Sequence, residues 1–137
     1  MPEQVRTSCA TLTRTGVNEM ETRFTSGSRI DRAGIAEVIA ERKRMFGDAP
    51  VGLLLIVPAD AELDMAMITT DHLKVNQATE NVLGFAVVAG SALSETLLRL
   101  YKAYYPTAFS SEVFTDEEEA RTWLRARIAA ALEVPKG

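Results

Sequence analysis

The 137-residue sequence has little of the chemistry that usually marks a catalytic or metal site. It contains one cysteine, Cys9, and one histidine, His72. A single cysteine excludes an intramolecular disulfide and a cysteine cluster for zinc or iron–sulfur chemistry, and it fits a reducing compartment. No G-x-x-x-x-G-K-S/T phosphate loop is present, and Ser91 lacks the second glycine of a hydrolase elbow. We therefore expect a non-enzymatic protein with no cofactor and no metal.

Excess charge and long apolar runs are also missing. The net charge is -4, and no Lys/Arg stripe alternates with aromatic residues, so nucleic acid is not an expected partner. The one basic cluster, residues 42–44, lies at a predicted helix end, where cations favour the helix dipole. No apolar run approaches the roughly 20 residues that span a bilayer, and the opening residues lack a signal-peptide pattern. We expect a cytoplasmic protein without a membrane span.

Two short apolar runs, Val51–Val57 and Val82–Ala89, predict the core of the fold. Both lack charge, and the first is bounded by prolines, which is typical of strands buried on both faces. The segment between them is long enough for a helical crossover, so we predict that they are parallel neighbours. The chain length fits a single domain over 1–137, with an ordered core over about 7–132.

Hydrophobic periodicity predicts the other elements. Residues 7–13 and 17–24 alternate as an antiparallel edge hairpin that turns at residues 15–16, with Glu19, Glu21 and Arg23 on a solvent-facing side. A capping box of Thr115 and Glu118 opens the last helix. The predicted helices cover about 31–46, 71–80, 92–105 and 116–132, and the predicted closing strand covers 109–114. This is an α/β domain with a mixed sheet of about five strands and about four covering helices.

Polar residues gather where the two predicted parallel strands end. Open α/β sheets place their ligand crevice at the carboxyl ends of their strands, next to the helix starts that follow. Thr70, Asp71 and Ser91 are also good N-cap residues, which is the alternative use of these positions. The candidate partner or ligand site consists of Thr69, Thr70, Asp71, His72, Gly90, Ser91 and Ser94.

Two more specific hypotheses, a metal site and an enzyme active site, have less support in the sequence than their simpler alternatives. Asp60, Glu62 and Asp64 alternate and would offer three carboxylates to a divalent cation, but no glycine turn or distal glutamate completes a calcium loop. A solvated loop is the favoured interpretation. An enzyme that uses His72 with Asp71 or Glu62 lacks an evident nucleophile, and it ranks below both binding hypotheses.

The predicted helix over 92–105 has a wider apolar stripe than one sheet contact needs. Leu98, Tyr101 and Tyr105 are candidate self-association residues, and a homodimer through this helix would cover them; the edge hairpin is the other surface through which two copies could associate. A ligand groove is the alternative. Together with Met65 and Met67, the same three side chains would line a site for an apolar small molecule.

Two segments carry a resemblance to a known superfamily. The tail over 106–124 reads P-T-A-F-S-S-E-V-F-T-D-E-E-E-A-R-T-W-L, and residues 87–94 read V-V-A-G-S-A-L-S. Both resemble an uncharacterised bacterial branch of the SpoIIAA-like superfamily, the superfamily of STAS domains, in which an F-T-D-E-E-E-A-x-x-W-L ending recurs. The resemblance implies a SpoIIAA-like fold and a regulatory module that binds a protein partner. The likeness of this fold to Sec14-type lipid binders implies, as the alternative, a carrier or sensor of a lipid-like molecule.

Anti-sigma-factor antagonists of this superfamily carry a phosphorylatable serine in an Asp-Ser-Ser-Gly type motif at a helix start. The corresponding place in this chain reads Ile68-Thr69-Thr70-Asp71, without the serines and without the glycine. By position, Thr69 and Thr70 are the candidate phosphorylation sites, where a phosphate would lie at a helix N-terminus. N-capping is the favoured alternative for both residues.

Overall fold

The computed structural model describes residues 3–63, 81–107 and 109–133, and these residues form two sheets and three helices. The strands are β1 (Gln4–Arg6), β2 (Ala10–Gly16), β3 (Glu19–Phe24), β4 (Arg29–Ile30), β5 (Val51–Val57), β6 (Glu62–Leu63), β7 (Val82–Ala89) and β8 (Ser111–Phe114). The helices are α1 (Arg32–Phe46), α2 (Ala92–Tyr104) and α3 (Glu117–Leu132). The helix predicted over 71–80 lies outside the described residues.

The main sheet has six strands in the order β1-β2-β3-β5-β7-β8. The first three are antiparallel neighbours, and β3, β5, β7 and β8 are parallel. Strands β5 and β7 have the predicted bounds, and their predicted parallel pairing is confirmed. The short strand β1 extends the expected five strands to six, and β4 and β6 form a separate two-stranded parallel sheet.

The two faces of the main sheet pack against different helices because side chains alternate along each strand. Helices α1 and α2 lie over the face that carries Leu53 and Val87. Helix α3 packs on the opposite face against Leu54, Ile56 and Ala86. Strands β5 and β7 are therefore covered on both sides, which explains why their sequences are continuously apolar.

Helix α3 approaches the sheet closely at Gly52. A Cβ atom built on Gly52 would lie 2.4 Å from Cδ1 of Ile128 and 3.2 Å from Cδ1 of Leu124. Glycine on the central strand therefore gives α3 the space in which these two side chains lie. Leu124 is 1% exposed, so it belongs to the centre of the contact between α3 and the sheet.

The prediction that one side of β3 faces solvent was wrong, because α3 covers that side. Nε of Arg125 lies 3.0 Å from Oε1 of Glu19, and Nη2 of Arg23 lies 2.6 Å from Oε1 of Glu117. Between these pairs, Arg121 donates to Glu21. Two residues along a strand and four along a helix both advance roughly 6–7 Å, so the spacings match. We call these three pairs the β3–α3 charge ladder.

Glu19 makes the charge ladder sensitive to acid. Burial raises the pKa of Glu19, but hydrogen bonds from Arg125 and Thr15 and the charges of Arg125 and Arg121 together lower it below its usual value. The unfolded chain binds this proton near a pKa of about 4.3. The carboxylate thus stabilises the fold fully above that pH, and its contribution is lost as the pH falls through the lower folded-state pKa.

We expect Glu19→Gln to lower the free energy of unfolding near neutral pH by about 1–2 kcal/mol, because the buried Glu19 side chain loses its charge-assisted hydrogen bond to Arg125. The variant should also lose less stability than the parent as the pH falls below about 4.3. Urea unfolding across that pH range measures both effects. Glu118→Gln, at an exposed position of the same helix, is the control. An unchanged acid slope in Glu19→Gln would refute this role of the ladder.

Two local predictions need correction. The hairpin turns after Gly16 rather than at residues 15–16, since β2 continues through Gly16 and Glu19 pairs across from it. The N-cap of α3 is Asp116 rather than Thr115, and its side chain accepts a hydrogen bond of 2.9 Å from the backbone N–H of Glu119. A carboxylate at this position also interacts favourably with the positive end of the helix dipole.

Candidate functional site

The described part of the predicted rim site has a clear local role in the fold. Ser91 is the N-cap of α2, and its Oγ accepts a hydrogen bond of 3.1 Å from the backbone N–H of Ser94. The two hydroxyl groups are also 3.1 Å apart. Gly90 packs directly against the chain after β5, where a Cβ atom would lie 2.4 Å from the nitrogen of Ala59. All three residues thus hold the β7–α2 turn.

The other part of the rim prediction, Thr69, Thr70, Asp71 and His72, lies outside the described residues. Met65, Met67 and Asp64 do as well. Asp60 is described, and hydrogen bonds from the hydroxyl of Ser26 and the backbone of Gly27 lower the pKa of its carboxyl. These contacts tie the loop after β5 to the loop after β3, as expected of an ordinary hydrogen-bonded loop.

A cavity of about 150 Å³ lies between α1, α2 and the main sheet. Two cross-strand rows of side chains on β3, β5, β7 and β8 form its floor. The first row holds Met20, Leu53, Phe85 and Ser111, and the second holds Thr22, Leu55, Val87 and Val113. The floor is therefore apolar except for the hydroxyl groups of Thr22 and Ser111.

The walls of the cavity come from the two helices. Helix α1 contributes Ile35, Val38 and Ile39, and Phe109 closes the side next to β8. Helix α2 contributes three residues that the sequence analysis proposed either for self-association or for a ligand groove, namely Leu98, Tyr101 and Tyr105. The structure places all three in the cavity wall, and the rings of Tyr101 and Tyr105 are 4.9 Å apart.

The cavity is reachable from solvent. Leu55 is the only residue of the central strand β5 that is not buried, and it lies on the floor. Phe85 and Leu98, which also line the cavity, are likewise only partly buried. The side chains of Lys102 and Glu112, which also line the cavity, are 43% and 41% exposed, so the cavity opens to solvent beside them and is a pocket that a small molecule can enter.

Arg42 is a buried charged residue of α1 that borders the cavity. It is 5% exposed, and burial lowers the pKa of its guanidinium because low-polarity surroundings disfavour the charged form. From the sequence, Arg42 was assigned only to the basic cluster 42–44. The signal that would have found it is its spacing, since Arg42 follows Val38 by four residues and therefore shares the buried face of α1.

A second cation, Lys102 of α2, lines the cavity together with Glu112. Nζ of Lys102 lies 3.7 Å from Oε1 of Glu112, and Nη1 of Arg99 lies 3.9 Å from the same oxygen. The side chain of Lys102 is 43% exposed, so this group lies at the mouth of the cavity, whereas Arg42 is buried.

Thr22 contributes a buried hydroxyl to the floor. The residue has no solvent exposure, and its Oγ1 has no hydrogen-bond partner among the described residues. Buried hydroxyl groups in proteins are usually paired, because leaving one unpaired costs roughly 1–3 kcal/mol. The Thr22 hydroxyl is therefore a buried polar group beneath the floor, and it has no accessible surface in the cavity.

The apolar surface of α2 that faces solvent is a different set of residues from the predicted self-association set. Leu93, Leu100 and Tyr104 are 70%, 42% and 66% exposed, respectively. They lie on one side of the helix, while Leu98, Tyr101 and Tyr105 lie at the cavity. A homodimer through α2 stays a prediction, and these outward residues are the ones available to it.

The described residues contain neither a membrane-spanning helix nor a cluster of metal ligands. Within residues 3–63, 81–107 and 109–133, none of the helices has the length and apolar character required to cross a bilayer. The same residues contain no group of three or more His, Cys, Asp or Glu side chains that could hold a metal ion.

Comparison with known proteins identifies the fold. The sequence matches no protein-family model and no curated protein. The antiparallel hairpin followed by parallel strands with helices on both faces is a SpoIIAA-like fold, as predicted, so the chain is STAS-like in architecture. A similar crystal structure is that of an uncharacterised DUF3478-family protein with a SpoIIAA-like fold from Shewanella loihica PV-4. The TM-score is 0.50 and the identity 13%, over 90% of this chain and 92% of that chain.

Proposed function

We propose that this protein binds a small apolar molecule in the cavity between α1 and α2 and acts as its carrier or sensor. The observation that carries the proposal is a cavity of about 150 Å³ with a floor residue, Leu55, that keeps solvent contact in the middle of the central strand. A cavity of this size in a protein interior can take up a benzene-sized molecule. The lining favours an apolar body with few polar contacts.

The energetics favour a ligand with a short hydrocarbon chain or a ring. Each buried methylene group contributes about 0.8 kcal/mol, so affinity should rise with chain length until the cavity is full. The rings of Phe85 and Tyr101 add flat apolar surface at low conformational cost. An apolar ligand of about six to eight carbon atoms fits these limits.

The test is to fill the cavity from α2. Leu98→Trp adds bulk inside the cavity wall, and we expect it to weaken binding of 1-octanol at least about tenfold, measured by isothermal titration calorimetry. Leu93→Trp makes the same exchange on the same helix at a position that is 70% exposed and outside the cavity. We expect this control to bind 1-octanol like the parent protein.

Two results would count against the proposal. One is a parent protein that takes up no 1-octanol or comparable apolar molecule. The other is a Leu98→Trp variant that remains folded, by circular dichroism and urea unfolding, and binds as well as the parent does. Either result would mean that the cavity is not a ligand site.

A protein partner is the second hypothesis, and it follows from the STAS-like architecture. Its proposed contacts are Thr69, Thr70 and the turn at Gly90 and Ser91, with Thr69 or Thr70 as the phosphorylated group. The two hypotheses are compatible, because a sensor must pass its occupied state to something else. Unchanged partner binding in a triple Thr69, Thr70 and Ser91 to alanine variant would remove the second one.

A further inference from the structure

The aromatic side chains of the cavity lining are unevenly distributed, and this distribution concerns the chemistry of the ligand proposed above. The chain has five Phe, three Tyr and one Trp, and four of these nine rings line the cavity, namely Phe85, Tyr101, Tyr105 and Phe109. All four belong to the part of the chain that runs from β7 through α2 to β8. The lining residues of β3, α1 and β5 include no ring. The cavity therefore has an aromatic side, formed by these four residues, and a side without rings.

The four rings form two pairs with the geometry that aromatic side chains prefer. The centroids of Phe85 and Phe109 are 6.3 Å apart with the planes inclined by 34°, and those of Tyr101 and Tyr105 are 4.9 Å apart with the planes inclined by 51°. Tilted rings at such separations attract each other beyond the effect of the area that they bury. All four residues are only partly buried, so the aromatic side still has surface for a further ring.

The accessible surface of the cavity is almost entirely apolar. Tyr101 and Tyr105 therefore present ring carbon atoms to it rather than their hydroxyl groups. A charged or hydrogen-bonding group of a ligand in this space would lose its water without gaining a partner, which disfavours binding. The lining thus selects for an uncharged hydrocarbon group.

We propose that the ligand is an uncharged aromatic molecule whose hydrocarbon ring lies on the aromatic side of the cavity. The volume of about 150 Å³ is that of a cavity that takes up one benzene ring. A short alkyl substituent would extend over Leu55 towards the side without rings. This inference rests on the proposed function, because it names the chemical class of the molecule that the cavity binds.

The test compares toluene with methylcyclohexane on the full-length protein by isothermal titration calorimetry. The two probes have the same number of carbon atoms and the same substituent, and they differ in the aromaticity of the ring. Because methylcyclohexane is more hydrophobic, each association constant is divided by the partition coefficient of the probe from water into cyclohexane. A ring contact contributes a factor of about two to ten, so we expect toluene to exceed methylcyclohexane at least about tenfold on this scale.

Phenol tests the absence of polar partners in the cavity. Its ring is the same as that of toluene, but a hydroxyl group replaces the methyl group. We expect the association constant of phenol to be at least about tenfold smaller than that of toluene, because the hydroxyl group loses its water and finds no partner.

Variants assign the preference for toluene to named rings. Phe85→Leu and Phe109→Leu each remove a ring and keep an apolar side chain, and each should reduce toluene affinity about threefold and methylcyclohexane affinity less than about twofold. The matched control is Phe114→Leu. Phe114 is also partly buried and lies on β8, but it packs against Trp123 of α3 on the other face of the sheet, and both affinities should stay unchanged.

The outcomes separate this inference from the proposed function. Uptake of methylcyclohexane or 1-octanol without a preference for toluene, or binding of phenol as tight as that of toluene, would overturn the aromatic hydrocarbon ligand and leave an apolar cavity site intact. No binding of toluene, methylcyclohexane or 1-octanol would overturn both. The inference would also fail if either folded variant, Phe85→Leu or Phe109→Leu, kept the full preference for toluene, and the two variants serve this test independently.

Discussion

Replacing Gly90 by alanine is expected to lower the free energy of unfolding by about 3 kcal/mol, the upper range for an overpacked site. A Cβ atom at this position would lie 2.4 Å from the nitrogen of Ala59, 2.6 Å from the oxygen of Val57 and 2.7 Å from the carbonyl carbon of Pro58. All three atoms belong to the backbone, so no side-chain rotation relieves the clash. The chain after β5 would have to move away from β7.

Urea unfolding measures this effect, with Gly16→Ala as the matched glycine control. A Cβ atom at Gly16 would lie 3.4 Å from Cβ of Glu19, an ordinary contact, and we expect a loss below about 1 kcal/mol there. Comparable losses in the two variants would contradict the close approach of the two turns. Because Gly90 was also a predicted site residue, a loss of partner binding in Gly90→Ala would reflect the fold rather than a contact.

Leu124→Ala is expected to cost about 3 kcal/mol, within the usual range for a buried leucine. Leu124 lies between α3 and the sheet, with Cδ1 at 3.2 Å from the place that a Cβ of Gly52 would occupy and at 3.5 Å from that of Gly84. The backbone of two strands forms the opposite wall of this space, and it cannot collapse to fill the void. The variant should therefore keep most of the cavity that the truncation creates.

The control for Leu124→Ala is Leu132→Ala, the same exchange in the same helix at a position that is 44% exposed. It should cost less than about 1 kcal/mol. A loss of less than about 1 kcal/mol in Leu124→Ala itself would mean that α3 does not pack as described. Chemical denaturation of the three proteins under identical conditions gives this comparison.

The sequence was sufficient for the parts of the fold that depend on local pattern. The uncharged runs of β5 and β7 predicted two buried parallel strands with their exact bounds, because strands covered on both faces need apolar residues at every position. Ser91 was correctly expected as a helix N-cap, since serine can satisfy the first free N–H groups of a helix. The SpoIIAA-like fold follows from the same element order.

Local pattern failed where the partner of a surface lies far away in the chain. Glu19, Glu21 and Arg23 alternate as on a solvent-facing strand, and only the opposite charges of α3, about 100 residues later, show that the strand is covered. Nothing within a strand specifies which helix will pack on it. The reciprocal spacing of charges two apart on β3 and four apart on α3 is visible in the sequence only once the pairing is known.

The cavity could be predicted only in part. The width of the apolar stripe on α2 indicated that Leu98, Tyr101 and Tyr105 needed a further covering surface, and all three line the cavity. The cross-strand rows of the floor depend on register, which places Thr22 beside Leu55 and Val87. Register is a property of the assembled sheet, so Thr22 and Phe85 could not be assigned to the cavity beforehand.

The proposed function requires a ligand to enter the protein at the face of the sheet that α1 and α2 cover. A titration of methyl-labelled protein with 1-octanol, monitored by NMR, tests this claim, because successive residues of β5 face opposite sides of the sheet. We expect the methyl signals of Leu53, Leu55 and Val87 to shift progressively, and those of Leu54, Leu124 and Val88 on the α3 face to stay in place. Equal shifts on both faces, or none on the cavity face, would contradict the account.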